Sequence, residues 1–219
     1  MLPISSASAL REASCLNIVL TGGPCSGKTT LIEALSKRGY ATIAEQAIRV
    51  IDQLVEQMGM DEYLIWKARN TLAFQQRILD AQHQAEKQLR KQGLNFLDRG
   101  RFDGLAYLIH QGQAFSHDFL DAIQDSHYHY HLVVHCETLS QFDARGVTGR
   151  TENHAEAHAL SGILLKTYQD FGFQTLRLEE APLDARIKNL LQKIQAHFPA
   201  HSLLPDQAAS KADANGLGV

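Results

Sequence analysis

Apolar residues follow two rhythms along this chain. Short compact runs at 16–21 (Leu-Asn-Ile-Val-Leu-Thr), 40–44, 94–97, 132–136 and 174–178 are bounded by polar or glycine-containing stretches. Runs of that length predict buried strands. Between them the spacing turns helical. Leu31, Ile32 and Leu35 mark a helix over 30–37, closed by Lys37-Arg38-Gly39. Ala47, Ile48, Val50, Ile51, Leu54, Val55 and Met58 mark another over 47–58, stopping at Gly59. A long polar helix is predicted over 61–92, with an apolar stripe through Leu64, Ile65, Ala68, Leu72, Ile78 and Leu79. Further helices are predicted over 102–111, 117–124 and 155–171, and from Pro182 to 198, proline being at home in a first helical turn.

Strands separated by helices imply an α/β fold: a parallel five-stranded sheet between two helical layers. At 219 residues one domain is expected, here 15–198. The Ser- and Ala-rich stretch 1–14 reads as a flexible arm, and the Ala-, Ser- and Gly-rich stretch 199–219 as an unstructured tail. Ligands of such sheets bind beyond the carboxyl ends of the strands. Those ends carry the loop after Thr21, then Glu45, Asp98 and Glu137.

The loop is the sharpest chemical signal. Gly22-Gly23-Pro24-Cys25-Ser26-Gly27-Lys28-Thr29, with Thr30 next, fits G-x-x-x-x-G-K-[ST] and lies between a predicted strand and a predicted helix. Its glycines let backbone amides turn inward as an anion nest at a helix N-terminus. Lys28 is placed for the β- and γ-phosphates of a nucleotide, and the Thr29 hydroxyl for Mg²⁺. Cys25 occupies a variable position and reads as filler.

Asp98 ends the strand expected beside that loop. A carboxylate there either holds Mg²⁺ or accepts a proton from an attacking hydroxyl, the bland alternative being a helix cap. Arg99 and Arg101 are candidate clamps for an anionic group. Asp103 reads equally as a surface residue favoured by the helix dipole. Glu45 stands at a strand end, one helical turn from Arg49, and is a candidate site residue or a surface ion pair. Arg145 and Arg150 lie in a polar, glycine-containing segment suited to a lid over a transferring phosphoryl group. Phe74-Gln75 offers a ring contact to an acceptor, with core packing of Phe74 the stronger reading.

Composition removes several classes. A net charge of −3 and the absence of a basic patch interleaved with aromatics argue against nucleic acid as partner. Three cysteines give no disulfide framework and suit a reducing, cytoplasmic setting. No run approaches membrane-spanning length, and 1–14 lacks the apolar core of a signal peptide. His127, His129 and His131 share one face of an extended chain, and His154 and His158 are a turn apart, but neither set has a zinc framework.

Together these residues resemble the NadR-like AAA-domain family of P-loop proteins, relatives of which include ribosylnicotinamide kinase domains. The resemblance runs over about 16–198. It rests on the loop with Leu31-Ile32, Gly39-Tyr40, Glu45-Gln-Ala-Ile-Arg49, Phe74-Gln75, Asp98-Arg-Gly with Asp103 and Ala106-Tyr107, Gly149-Arg150-Thr-Glu152, and Tyr168 with Gly172. It implies a nucleoside-kinase-like sheet of order 2-3-1-4-5 and nucleotide binding. It also implies acceptor or metal roles for Glu45 and Asp98, and a lid role for Arg150. The chain departs from the family where Gly149 abuts Arg150 directly.

Two functions compete: a kinase passing the γ-phosphoryl of ATP to a small nucleoside-like or other metabolite, and a nucleotide-binding regulator acting through a protein or lipid partner. A motor of the AAA type would need a second helical domain for which the chain has no room. GTP would call for an Asn/Thr-Lys-x-Asp string after a strand; the nearest, Ser210-Lys-Ala-Asp213, has no strand before it, so ATP is favoured.

Overall fold

In the computed structural model, which describes residues 15–124, 130–140 and 154–203, the predicted strands form one sheet. β1 (Cys15–Thr21), β2 (Ala41–Ile43), β3 (Gly93–Asp98), β4 (Leu132–Cys136) and β5 (Thr175–Leu178) lie in the order β2-β3-β1-β4-β5. Every pairing is parallel, and Leu20 is in register with Asp98. The loop after β1 therefore emerges at the sheet centre, beside the last residue of β3.

The helices are α1 (Lys28–Lys37), α2 (Gln46–Met58), α3 (Met60–Arg69), α4 (Thr71–Glu86), α5 (Arg101–His110), α6 (His117–Gln124), α7 (His154–Asp170) and α8 (Leu183–His197). Alternation along β1 splits the core. Leu16, Ile18 and Leu20 face Leu31 and Leu35 of α1 and Ile187, Leu190 and Ile194 of α8. Val19 faces Phe102 and Leu105 of α5, Phe119 of α6 and Tyr168 of α7. Each such side chain, fully buried, contributes about 1.5–3 kcal/mol, so both helical layers are needed to hold the central strand. A third cluster joins Val50, Ile51 and Leu54 of α2 to Tyr63 and Phe74.

Two predicted boundaries change. The long helix over 61–92 is two helices. At Asn70 the backbone leaves the helical region (φ −129°, ψ 42°), and the side-chain amide donates to Trp66 O at 2.9 Å. A short polar side chain that bonds nearby backbone competes with helix in this way. The second piece stops at Glu86, and Asn95 of β3 holds the chain beyond it away from helix. Asn95 Oδ1 accepts from Arg90 N–H at 3.1 Å and its Nδ2 donates to Arg90 O at 2.9 Å. Beyond α8 the chain comes back to the core at Leu203. Leu203 packs there, and Tyr40 Oη donates to Leu203 O at 2.8 Å. The arm 1–14 and tail residues 204–219 fall outside the described residues.

Candidate functional site

The loop between β1 and α1 is held from outside and open within. A Cβ on Gly22 would stand 2.3 Å from Cys136 O, and one on Gly23 2.5 Å from Ala157 O, so only glycine lets the loop lie against the end of β4 and against α7. Gly27 (φ 70°) and Cys25 (φ 57°) adopt the left-handed conformation. Cys25 is thus a backbone feature of the turn, half-buried, with its carbonyl accepting from Leu139 N–H at 3.2 Å. No side chain caps α1, so its first amides are free to meet an anion.

Lys28 is buried within this loop. Its Nζ donates to Gly22 O, Gly23 O and Ser26 Oγ, each at 2.9 Å. Burial, and then the Arg99 charge, lower its pKa to about 8, against the opposing pull of Asp98 and Glu45. An ammonium parked on the carbonyls of the loop is at hand for a phosphate that would displace them.

Beside it, Thr29 Oγ1 donates to Asp98 Oδ2 at 2.9 Å. Asp98 is fully buried, and its Oδ1 has no hydrogen-bond partner. Burial pushes its carboxyl above the usual range, with Lys28 acting in the opposite direction. A buried oxygen without a donor is costly unless something else satisfies it. A hard divalent cation takes such oxygens, so Thr29 and Asp98 fit Mg²⁺.

A second carboxylate cluster lies one step further out. Arg99, in a left-handed conformation (φ 72°), donates from Nε to Glu45 Oε1 at 2.8 Å and from Nη1 to Asp103 Oδ1 at 2.9 Å, and stacks on the Tyr107 ring at 5.5 Å. Burial works against the Arg99 charge, yet Glu45, Tyr107 and the two aspartates hold it well above the ordinary arginine value. Asp103 is buried, not a surface residue: its oxygens also accept from Thr21 Oγ1 (3.0 Å), Gly100 N–H (3.1 Å) and Tyr168 Oη (2.6 Å). Arg49 is exposed, so Glu45 answers to Arg99. Arg101 pairs with Glu86 at 2.7 Å, and Glu86 also accepts from Tyr130 Oη and Gln82 Nε2.

From this cluster a cavity of about 620 Å³ opens between α2, α3, α4 and α5, lined by Glu45, Gln75, Arg99, Arg101, Asp103 and Tyr107 among others. Glu45 is among the lining residues and Asp98 is not. Phe74 belongs to the core, as the stronger reading had it, and also lines the cavity beside Gln75.

Arg145 and Arg150 lie outside the described residues, as do His127 and His129. His131 serves the sheet, its Nδ1 accepting from Asn17 N–H at 3.0 Å. Glu137 faces Arg177 at 3.9 Å, apart from the cavity lining. Sequence reading missed three residues around the loop. Ser161 Oγ accepts from Gly23 N–H at 3.4 Å and bonds His135 Nε2 at 2.9 Å, and burial holds that imidazole below its usual value. Arg186 donates from Nη1 to Ser26 O at 2.9 Å. Ser161 and Arg186 reach the loop, and His135 braces Ser161, from elements far along the chain, and no local motif announces them.

A family model described as an AAA domain matches residues 17–186. No curated protein matches the sequence. Among solved structures, deoxyadenosine kinase from M. mycoides with bound dATP superposes with a TM-score of 0.55 at 15% identity, over 82% of this chain and 99% of that one. Thymidylate kinase from Ehrlichia chaffeensis superposes with a TM-score of 0.55 at 12% identity, over 83% and 100% respectively. At such identities the likeness is one of fold: the sheet order, the loop after β1 and the helical layers are those of P-loop kinases.

Proposed function

The chain belongs to the AAA-domain family of P-loop proteins, and from that premise we propose that it is a Mg²⁺-dependent kinase passing the γ-phosphoryl of ATP to a hydroxyl of a small, nucleoside-like metabolite. One observation carries the reading. A cavity of about 620 Å³, the size of a metabolite site, is lined by the buried Glu45–Arg99 pair, and Arg99 Nη1 also reaches Gly22 O of the phosphate loop at 3.4 Å.

The donor nucleotide lies on the amides of residues 23–30, with Lys28 turning from the loop carbonyls to the β- and γ-phosphates. Thr29 and Asp98 hold the magnesium ion, which supplies positive charge to those phosphates. The acceptor enters the cavity with its hydroxyl toward Glu45. The ion pair with Arg99 fixes the Glu45 carboxylate in direction. The acceptor oxygen attacks the γ-phosphorus, its proton passes to Glu45, and the bond from γ-phosphorus to the bridging oxygen breaks to release ADP. Gln75 and Tyr107 offer polar and aromatic contacts to a ring. Arg150 is assigned to the lid over the transferring group.

The test is ADP release over a panel of nucleosides and other hydroxyl-bearing metabolites with ATP and Mg²⁺. Stimulation by one of them, lost in Glu45→Gln while ATP still binds, supports the assignment. If no acceptor stimulates turnover and ATP still binds, the regulator is the better reading.

A further inference from the structure

Arg186 takes no part in the chemistry proposed for the cavity, and its surroundings are unusual for an arginine. It sits in the first turn of α8 and is 3% exposed. Nη1 donates to Ser26 O of the phosphate loop at 2.9 Å, while Nε and Nη2 are buried with no hydrogen-bond partner. The guanidinium lies so close to the loop that a Cβ on Gly27 would stand 2.7 Å from Nη1.

No carboxylate among the described residues balances this charge. The acidic groups nearest in sequence are engaged elsewhere: Asp184 with Arg38 at 2.8 Å, Glu179 with Lys193 at 2.9 Å, and Glu180 with Ser140 Oγ at 2.8 Å. The Cys136 sulfur, a weak acceptor, lies within hydrogen-bonding reach of the Arg186 side chain, but burial pushes its thiol up to about 11, so it brings no balancing charge near neutral pH. A buried guanidinium with two bare donors and no counter-ion destabilises a fold unless a ligand brings the missing charge. The group it rests on is the loop that binds phosphate.

We infer that Arg186 is a second fixed cation of the donor site, reaching around the phosphate loop from α8 to contact a phosphate of the bound nucleotide. The inference rests on the donor-site reading and adds a ligand-binding residue to it. Lys28 and Arg186 then approach the polyphosphate from different elements, and α8 becomes sensitive to whether the loop is filled. A bidentate, permanently charged fork suits that duty better than a lysine would.

The experiment compares wild type, Arg186→Met, Arg186→Lys and Lys28→Ala, reading the melting temperature alone, with ATP and with inorganic tripolyphosphate, and dissociation constants by calorimetry. Arg186→Met keeps most of the buried stem and removes the charge. It should leave the ligand-free melting temperature unchanged or higher and weaken both ligands about tenfold or more. Arg186→Lys should bind with intermediate affinity. If Arg186 merely props the loop, Arg186→Met instead lowers the ligand-free melting temperature and leaves both affinities within about twofold. That overturns the inference, as does weakened binding of ATP with tripolyphosphate unaffected. Lys28→Ala separates the two ideas: if it abolishes binding while Arg186→Met leaves both affinities within about twofold, the donor site stands and the inference falls. If wild type shows no response to ATP, the donor-site reading falls with it.

Discussion

Asp98 and Asp103 are five residues apart, both buried, and satisfied very differently. Asp103 accepts from Thr21, Arg99, Gly100 and Tyr168, two donors on each oxygen. Asp98 accepts from Thr29 on Oδ2, and its Oδ1 is bare. The same contrast divides their neighbourhoods. Around Asp103, Glu86 is partnered on both oxygens by Arg101, Tyr130 and Gln82. Beside Asp98, Lys28 is bonded only to the phosphate loop, and against that same loop Arg186 Nε and Nη2 have no hydrogen-bond partner. On the Asp103 side the carboxylates are saturated and aim Arg99 and Glu45, and the open group there is Arg99 Nη2, on a residue that lines the cavity. The Asp98 side keeps an open carboxylate oxygen, which is what the proposed phosphate and cation site requires.

The largest effect expected is on the ligand side. Lys28→Ala should abolish measurable phosphoryl transfer and remove the stabilisation by ATP, which for wild type at a hundred times the dissociation constant is about 2.7 kcal/mol. The fold should survive, because Lys28 bonds only groups of its own loop. Unchanged ATP stabilisation in this variant would remove the basis for the whole comparison.

Next comes the aspartate pair itself. Asp98→Asn should lower transfer by about a hundredfold, the loss of a ligand to the cation, while metal-free nucleotide affinity changes little. The ligand-free protein should be no less stable, since burial works against the Asp98 charge. Asp103→Asn should do the reverse in kind. It leaves Arg99 short of a buried partner and costs about 3 kcal/mol of stability, seen in chemical denaturation. Equal stability losses in the two variants would erase the distinction between scaffold and site.

Much of this is legible in the sequence because strand and loop signals are local. The five strands, the phosphate loop and the strand-end positions of Glu45 and Asp98 come from short runs of neighbouring residues. The sheet order 2-3-1-4-5 comes through the family resemblance and is the order observed. Partners brought together from afar leave no such trace. Asp103 reads as a surface residue because nothing near it in sequence reveals Tyr168, 65 positions on. Arg186 stands 160 residues from the carbonyl it touches and looks in sequence like any charged residue in a first helical turn. The break at Asn70 is hidden for the opposite reason. The apolar stripe runs past it, while a single side chain bonding to Trp66 decides the local geometry.

The smallest effect is a fraction of a proton, and it tests whether Lys28 waits for phosphate. In the ligand-free fold its pKa is about 8, below the ordinary lysine value of 10.5, chiefly because it is buried. Between those two values the unfolded chain holds more protons than the folded one, so the cost of the charged Lys28 to the fold is full below about pH 8 and fades as pH rises toward 10.5. A bound polyphosphate acts in the opposite sense: its negative charge favours the ammonium and raises the pKa. ATP binding at pH 8 should therefore take up about half a proton, and more at about pH 8.5. Calorimetry in two buffers of different ionisation enthalpy measures this directly, with a chelator present so that no cation displaces a proton from Asp98. Lys28→Arg retains a positive charge that does not titrate in this range, so its uptake should vanish even where binding persists. Above about pH 8 the wild-type affinity for ATP should fall with rising pH while that of Lys28→Arg stays flat. Proton uptake of the same size in both proteins would assign the titration to another group and leave Lys28 as a fixed charge.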